Sequence, residues 1–329
     1  MQYRRLGRSG IKISEIGFGS WLTAGGSVDA AATERLTARA RELGINFFDT
    51  ADVYSGGRAE EVLAAALKGA PRRELVVATK CFFPITGGVN DQGLSRKHIF
   101  ESCHGSLRRL GMEYVDLYQC HRYDDHTPLE ETCRAMHDLI TQGKILYWGV
   151  SQWSAVNIVE AMAICKANNF NAPVSNQPIY NMINRSLEID VMRVCARYGL
   201  GLVVFSPLAQ GILTGKYSGG AKPAGSRATD PRAANYMSQK YMTGAWLARV
   251  DALKPVAEKN SMTMAQLALA WCLRRNELTA TINGFTRPEQ LEDNAAASGK
   301  TIPAEDLAAI DAILGTMPVD QYTGRIIEA

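Results

Sequence analysis

An acid, a phenol, an amine and an imidazole stand at or just after strand-like apolar runs in this chain. Asp49 follows residues 45–48, with Tyr54 shortly beyond it. Lys80 follows residues 74–78, and His121 follows residues 114–118. Together the four groups suit proton transfer to a carbonyl oxygen. They can do so only if the chain brings them to one place. Taken singly, each has a plainer explanation: a helix cap for Asp49, a surface aromatic for Tyr54, a solvated strand end for Lys80, a structural histidine for His121.

Parallel strands alternating with helices would bring the groups together. Probable strands begin near Glu15, Ile45, Glu74, Tyr114, Ile145, Pro173, Leu200 and Thr279, with amphipathic helices between most of them. After Asp29, Ala32, Leu36, Ala40 and Leu43 share one helix face, and Gly44 stops the helix. After Ser95, Ile99, Cys103, Ser106 and Leu110 do the same, ending at Gly111. A third helix has Thr127 as cap, Pro128 at the first helical position and Glu130-Glu131 in the first turn. The expected fold is α/β: a (β/α)8 TIM barrel formed by one domain over residues 1–329. It carries an N-terminal β-hairpin around Gly7-Arg8-Ser9-Gly10, a long Gly/Ser/Pro-rich loop after strand 7 and an extra C-terminal helix near residues 304–314. In such a barrel the strand C-terminal ends share one mouth, so the four groups meet there.

The bulk composition narrows the function. With 329 residues, 46% of them hydrophobic, the chain can bury a large core. A net charge of +3 is too balanced to indicate nucleic-acid binding. The seven cysteines contain no CxxC pair and fall mostly in apolar patterns, which points to reduced, structural thiols. No metal site is expected, since Cys120-His121 lacks companion ligands and His98 and His104 do not share a helix face. The start carries no signal-peptide stretch and no apolar run approaches membrane-spanning length, so a soluble cytoplasmic protein without membrane insertion is expected. The sequence leaves a homo-oligomer open.

The stretches Asn46-Phe47-Phe48-Asp49-Thr50-Ala51-Asp52-Val53-Tyr54, Ala78-Thr79-Lys80 and Asp116-Leu117-Tyr118-Gln119-Cys120-His121-Arg122 resemble the aldo-keto reductase superfamily. Trp148-Gly149-Val150-Ser151, Gln177-Pro178-Ile179-Tyr180-Asn181, residues 205–217 and residues 284–294 continue the resemblance in family order. Gly19-Ser20-Trp21 and Ser95-Arg96-Lys97-His98-Ile99 are most similar to the branch containing potassium-channel β subunits and their bacterial relatives.

The resemblance implies an NADPH-dependent reductase of aldehydes, and of ketones, with Tyr54 as general acid. A free tyrosine has a pKa of about 10, too high for efficient donation near neutrality. An ammonium about 4 Å away favours phenolate by roughly 4 kcal/mol at an effective dielectric of 20, or about three pKa units before desolvation opposes it. Lys80 is therefore expected to lower the Tyr54 pKa. Asp49 would keep Lys80 charged and oriented, and a neutral His121 would hydrogen-bond the substrate oxygen.

Such side chains supply no hydride, so a cofactor is required, and the chain has no GxGxxG for a Rossmann site. The resemblance implies NADP(H) across the barrel mouth. Ser20 and Trp21 would line its nicotinamide end, Ser151 and Gln177 would hold the carboxamide, and Phe205 would stack on the ring, followed by Ser206. Leu208, Gln210, Leu213 and Lys216 would hold the pyrophosphate. Thr286, Arg287 and Gln290 would surround the 2′-phosphate, with Asp293 and Asn294 on the adenine, and Gly284 would also line the cofactor. Gln152 and Gln290 replace the Asn and Arg of many relatives. Trp21, Phe82, Phe83 and Trp153 are candidate walls of a pocket for a small carbonyl substrate. Two other readings fit the same residues. One is a Schiff-base enzyme using Lys80. The other is a redox-sensing NADP(H)-binding regulatory subunit with slow turnover.

Overall fold

The computed structural model describes residues 1–230, 234 and 241–315. Strands β1 (Tyr3–Arg5) and β2 (Lys12–Ser14) form an antiparallel hairpin. Eight further strands follow: β3 (Ile16–Gly19), β4 (Phe47–Asp49), β5 (Val76–Cys81), β6 (Val115–Cys120), β7 (Ile145–Ser151), β8 (Ser175–Gln177), β9 (Gly201–Phe205) and β10 (Leu278–Asn283). All pair in parallel, and β10 closes on β3 through Ile282 opposite Gly17, giving a closed barrel. This is the (β/α)8 architecture expected from sequence, and each barrel strand starts within two residues of its expected place.

Local signals set most helix limits as expected. The Asp29 carboxylate accepts the Ala32 N–H at 2.7 Å to open helix Ala30–Glu42, and Ser95 accepts the His98 N–H at 3.2 Å to open helix Arg96–Leu110. One start differs. Helix Leu129–Thr141 has Pro128 as its cap, not as its first helical residue. The Thr127 hydroxyl donates instead to Asp124 at 2.7 Å, and Asp124 also accepts the Leu94 N–H. A tertiary tie between two loops outweighs the local cap.

Side chains alternate along each strand, and the alternation separates two cores. Phe48, Val77 and Tyr118 belong to the large core between barrel and helices. Phe47, Val76, Ala78, Leu117, Val203, Ala280 and Ile282 fill the barrel interior, joined by Leu6 and Ile13 of the hairpin region. The hairpin segment thus plugs the barrel floor. Each fully buried Leu, Val or Phe contributes about 1.5–3 kcal/mol. Gly17 is required here, because a Cβ would lie 2.7 Å from the Phe47 ring.

The long segment after β9 is less open than its composition suggests. Ser218 donates to Asp251 at 2.6 Å and accepts from Lys254 at 3.3 Å, which ties the glycine-rich turn to helix Gly244–Asp251 and its neighbour Lys254–Lys259. The extra helix Ala304–Leu314 lies where expected, and the tail beyond it falls outside the described residues. No helix among the described residues is long and apolar enough to cross a membrane.

Candidate active site

Alternation also decides what stands at the barrel mouth. Continuing the inward series of β4, β5, β6 and β8 past the apolar layer gives Asp49, Lys80, Gln119 and Gln177. These four side chains meet. Lys80 Nζ donates to Asp49 Oδ1 at 2.5 Å, to the Thr50 carbonyl at 2.7 Å and to the Tyr54 phenol oxygen at 3.3 Å. Gln177 Nε2 donates to Asp49 Oδ2 at 2.9 Å, and Gln119 Nε2 reaches the same oxygen at 3.3 Å. Lys80 is wholly buried and Asp49 nearly so. The Asp49 carboxylate is thus held by one cation and two amides, as a buried charge requires.

Tyr54 reaches this cluster from a strained turn. Ser55, Gly56 and Gly57 all take positive φ, +51°, +63° and +92°. A left-handed serine is costly and persists only where its surroundings impose it. The His121 ring stands edge-on to Tyr54, centroids 5.7 Å apart, and Nδ1 is buried without a hydrogen-bond partner.

Protonation follows from this packing. Burial opposes the charge on Lys80 most strongly, but the Asp49 and Tyr54 charges and hydrogen bonds hold its pKa above the ordinary lysine value. Burial, with the Lys80 and Arg122 charges, pushes His121 well below its ordinary range, so the imidazole is neutral. Tyr54 departs from expectation. Burial raises its pKa, Lys80 lowers it and Asp49 raises it, and the net direction is upward. Burial is the largest cause of that rise, and Lys80 arrives with its counter-ion, so the ammonium does not set the direction. The phenol therefore keeps its proton, while its oxygen accepts a hydrogen bond from the ammonium.

Around this centre, Phe82 and Phe83 pack edge-to-face at 5.1 Å, and Phe83 stands 5.1 Å from the His121 ring. Trp153 is only 2% exposed and packs edge-on against Tyr123 at 5.0 Å, so Tyr123 joins the aromatic group that sequence reasoning named. Ser20 is buried and its hydroxyl has no partner. Ser151 donates to the Gln177 carbonyl at 2.9 Å. Gln152 has φ +58° and accepts the Ile179 N–H at 3.0 Å, which commits its side chain to the backbone.

Along the groove past β9, Phe205 is half-buried at the strand end and Leu213 is buried. Ser206, Ala209, Gln210 and Gly211 have φ between +46° and +96°. Successive left-handed residues turn backbone amides toward one side and make anion-binding concavities. Partial desolvation of the Lys216 amine, with the charges of Arg227 and Arg287, lowers its pKa. Neighbouring cations of this kind suit an anion. Arg287 caps helix Pro288–Ala295 through its backbone only, leaving its side chain exposed. Gln290 does not share that freedom: its Oε1 accepts the Thr286 N–H at 2.9 Å and the Thr286 hydroxyl at 3.1 Å. Asp293 accepts from Thr263 at 3.0 Å and from Gln266 at 2.7 Å. Asn294 is buried and Gly284 is exposed beside β10.

A family-wide sequence profile described as the aldo/keto reductase family matches residues 15–315. The chain belongs to the aldo/keto reductase family. It is 43% identical over 300 residues to a probable voltage-gated potassium channel subunit beta of Oryza sativa subsp. japonica, covering 90% of this chain and 91% of that one. The probable subunit beta of Arabidopsis thaliana is 42% identical over 300 residues, with the same coverage. The putative subunit beta of Schizosaccharomyces pombe is 43% identical over 330 residues, covering 97% and 95%. These names agree with the branch suggested by Gly19-Ser20-Trp21.

In this family member, sequence reasoning missed four residues at or beside the site, Tyr123 among them. Gln119 lies inward between Leu117 and His121, and strand alternation alone could have found it. Arg227 lies in a segment with no periodicity, yet its guanidinium stands 5.6 Å from the Trp21 ring centroid. Arg122 immediately follows His121 and donates to the His121 carbonyl at 2.5 Å.

Proposed function

We propose that this protein is an NADPH-dependent reductase of aldehydes, and of ketones, with Tyr54 as the general acid. The observation that carries the reading is the single ammonium of Lys80, which contacts both the Asp49 carboxylate and the Tyr54 phenol oxygen. A hydrogen bond donated to that oxygen stabilises it as its own proton leaves. The substrate oxygen is placed between the Tyr54 hydroxyl and the neutral His121 imidazole, which orients it without competing as an acid.

The groove residues fit a nicotinamide dinucleotide phosphate. The unpartnered Ser20 hydroxyl and the half-buried Phe205 suit its ring end, and Lys216, Arg227 and Arg287 suit its phosphates. When bound, such a cofactor supplies the hydride. Ser151 and the side-chain carbonyl of Gln177 would hold its carboxamide, while the Gln177 amide stays on Asp49. The reading is tested by loading the protein with NADPH and adding a panel of aldehydes. Oxidation of the nicotinamide that depends on aldehyde supports it; cofactor binding with no oxidation by any of them overturns it.

The names of the relatives favour a second reading, in which NADP(H) occupancy regulates a bound protein partner and turnover is slow. A stable complex whose affinity changes between NADPH and NADP+ would favour that role.

A further inference from the structure

Beside the proposed proton donor lies a cation that no step of the reduction uses. The Arg122 guanidinium is half-buried and stacks over Phe83, 5.5 Å from the ring centroid. It lies close enough to influence the Tyr54 phenol and the His121 imidazole. Its hydrogen bond goes to a neutral acceptor, the His121 carbonyl. Among the described residues it forms no ion pair. The nearest acid in sequence, Asp124, is occupied by the Leu94 and His126 N–H groups and the Thr127 hydroxyl. Asp125 is exposed.

A guanidinium carries five donors in a planar fork matched to a carboxylate, and a backbone carbonyl uses only part of that capacity. Holding an uncompensated, half-buried cation over an aromatic ring is unfavourable unless an anion arrives to join it. Phe83, with Phe82 packed edge-on against it, also displaces water, which strengthens any such pairing.

We propose that Arg122 makes this site selective for carbonyl substrates that carry a carboxylate, the class of short oxo acids and semialdehydes. The carboxylate pairs with the guanidinium while the carbonyl oxygen lies between Tyr54 and His121. This inference rests on the reductase reading for its carbonyl end only. Recognition itself changes no bond.

The test compares glyoxylate and 4-oxobutanoate with their neutral methyl esters, in the wild-type protein and in Arg122→Met, which keeps an unbranched apolar stem. A hydrogen-bonded charge contact predicts a loss of about 10- to 150-fold in kcat/KM for at least one anion, mainly through KM, with the esters changed less than about threefold. Arg122→Lys should recover part of the loss. Equal wild-type use of acid and ester overturns the proposal. So does an Arg122→Met variant in which both fall alike through kcat, since that is the signature of a residue that merely positions His121. Titration of the NADP+-loaded protein with succinate, which cannot be reduced, separates the two readings. Succinate binding that disappears in Arg122→Met, with no turnover of any aldehyde, would remove the reductase reading and keep the anion site. Turnover of esters without succinate binding would do the reverse.

Discussion

At the Lys80 end of the groove, charge is buried and answered. The ammonium meets a carboxylate at 2.5 Å and a carbonyl at 2.7 Å, and the carboxylate is itself held by two glutamine amides. At the other end, Lys216 and Arg287 are exposed, form no ion pair among the described residues, and are close enough, with Arg227, to act on one another. The first arrangement is complete without a ligand and fixes geometry for chemistry. The second is incomplete by one anion and is suited to binding. Mutations at the two ends should therefore fail differently.

The largest effect is expected at Lys80. Lys80→Met leaves the Asp49 charge buried and unpaired, a situation that costs about 3–5 kcal/mol. Turnover should fall at least about 100-fold along with stability. Adding Asp49→Asn should restore much of the denaturant midpoint but none of the activity. Recovery of both would mean that the pair serves folding alone.

Arg287→Ala tests the opposite end. Stability should barely move, because the side chain is exposed and forms no ion pair among the described residues. NADPH affinity should fall about 10- to 150-fold and NADH affinity should not. NADPH binding should also weaken with salt, since exposed charges are screened, whereas the Lys80→Met stability loss should not depend on it. Equal weakening of both nucleotides would move the phosphate contact to Lys216 or Arg227.

A smaller effect belongs to Asp52, which lies between Asp49 and Tyr54 in sequence. Burial is the main cause pushing its carboxyl up to about 7, opposed by a hydrogen bond from the Ser102 hydroxyl. Between the unfolded value of about 3.9 and 7, the folded chain holds a proton that the unfolded chain has released. Stability therefore falls as pH rises through that window. Asp52→Asn cannot ionise, so its melting temperature should exceed wild type by a margin that grows by a few degrees between about pH 4 and pH 8. A margin independent of pH would show that Asp52 does not titrate there.

The same contrast explains what could be read from sequence. Asp49, Lys80 and His121 were legible because each stands at or just past a strand end, and strand alternation carries an end residue inward from Phe47, Ala78 or Leu117. The helix starts at Asp29 and Ser95 were legible because a cap is a local bond. Arg227 was not, since it lies in a stretch with neither period, and only the fold of that stretch brings it over Trp21. The commitment of Gln290 to Thr286 was hidden because a glutamine that caps its own helix and one that faces a ligand share the same sequence pattern. The direction of the Tyr54 shift depended on burial and on Asp49, both set by the completed barrel.

The central claim is that the balanced cluster holds Tyr54 as the proton donor, and a single-turnover experiment addresses it most directly. Wild type and Tyr54→Phe would each be loaded with NADPH, mixed rapidly with an aldehyde that the wild type reduces, and followed by nicotinamide absorbance. The phenylalanine variant removes one hydroxyl and leaves the ring in place. The account predicts unchanged NADPH binding and a rate of nicotinamide oxidation at least about 100-fold slower than wild type. Oxidation at the wild-type rate by Tyr54→Phe would contradict it.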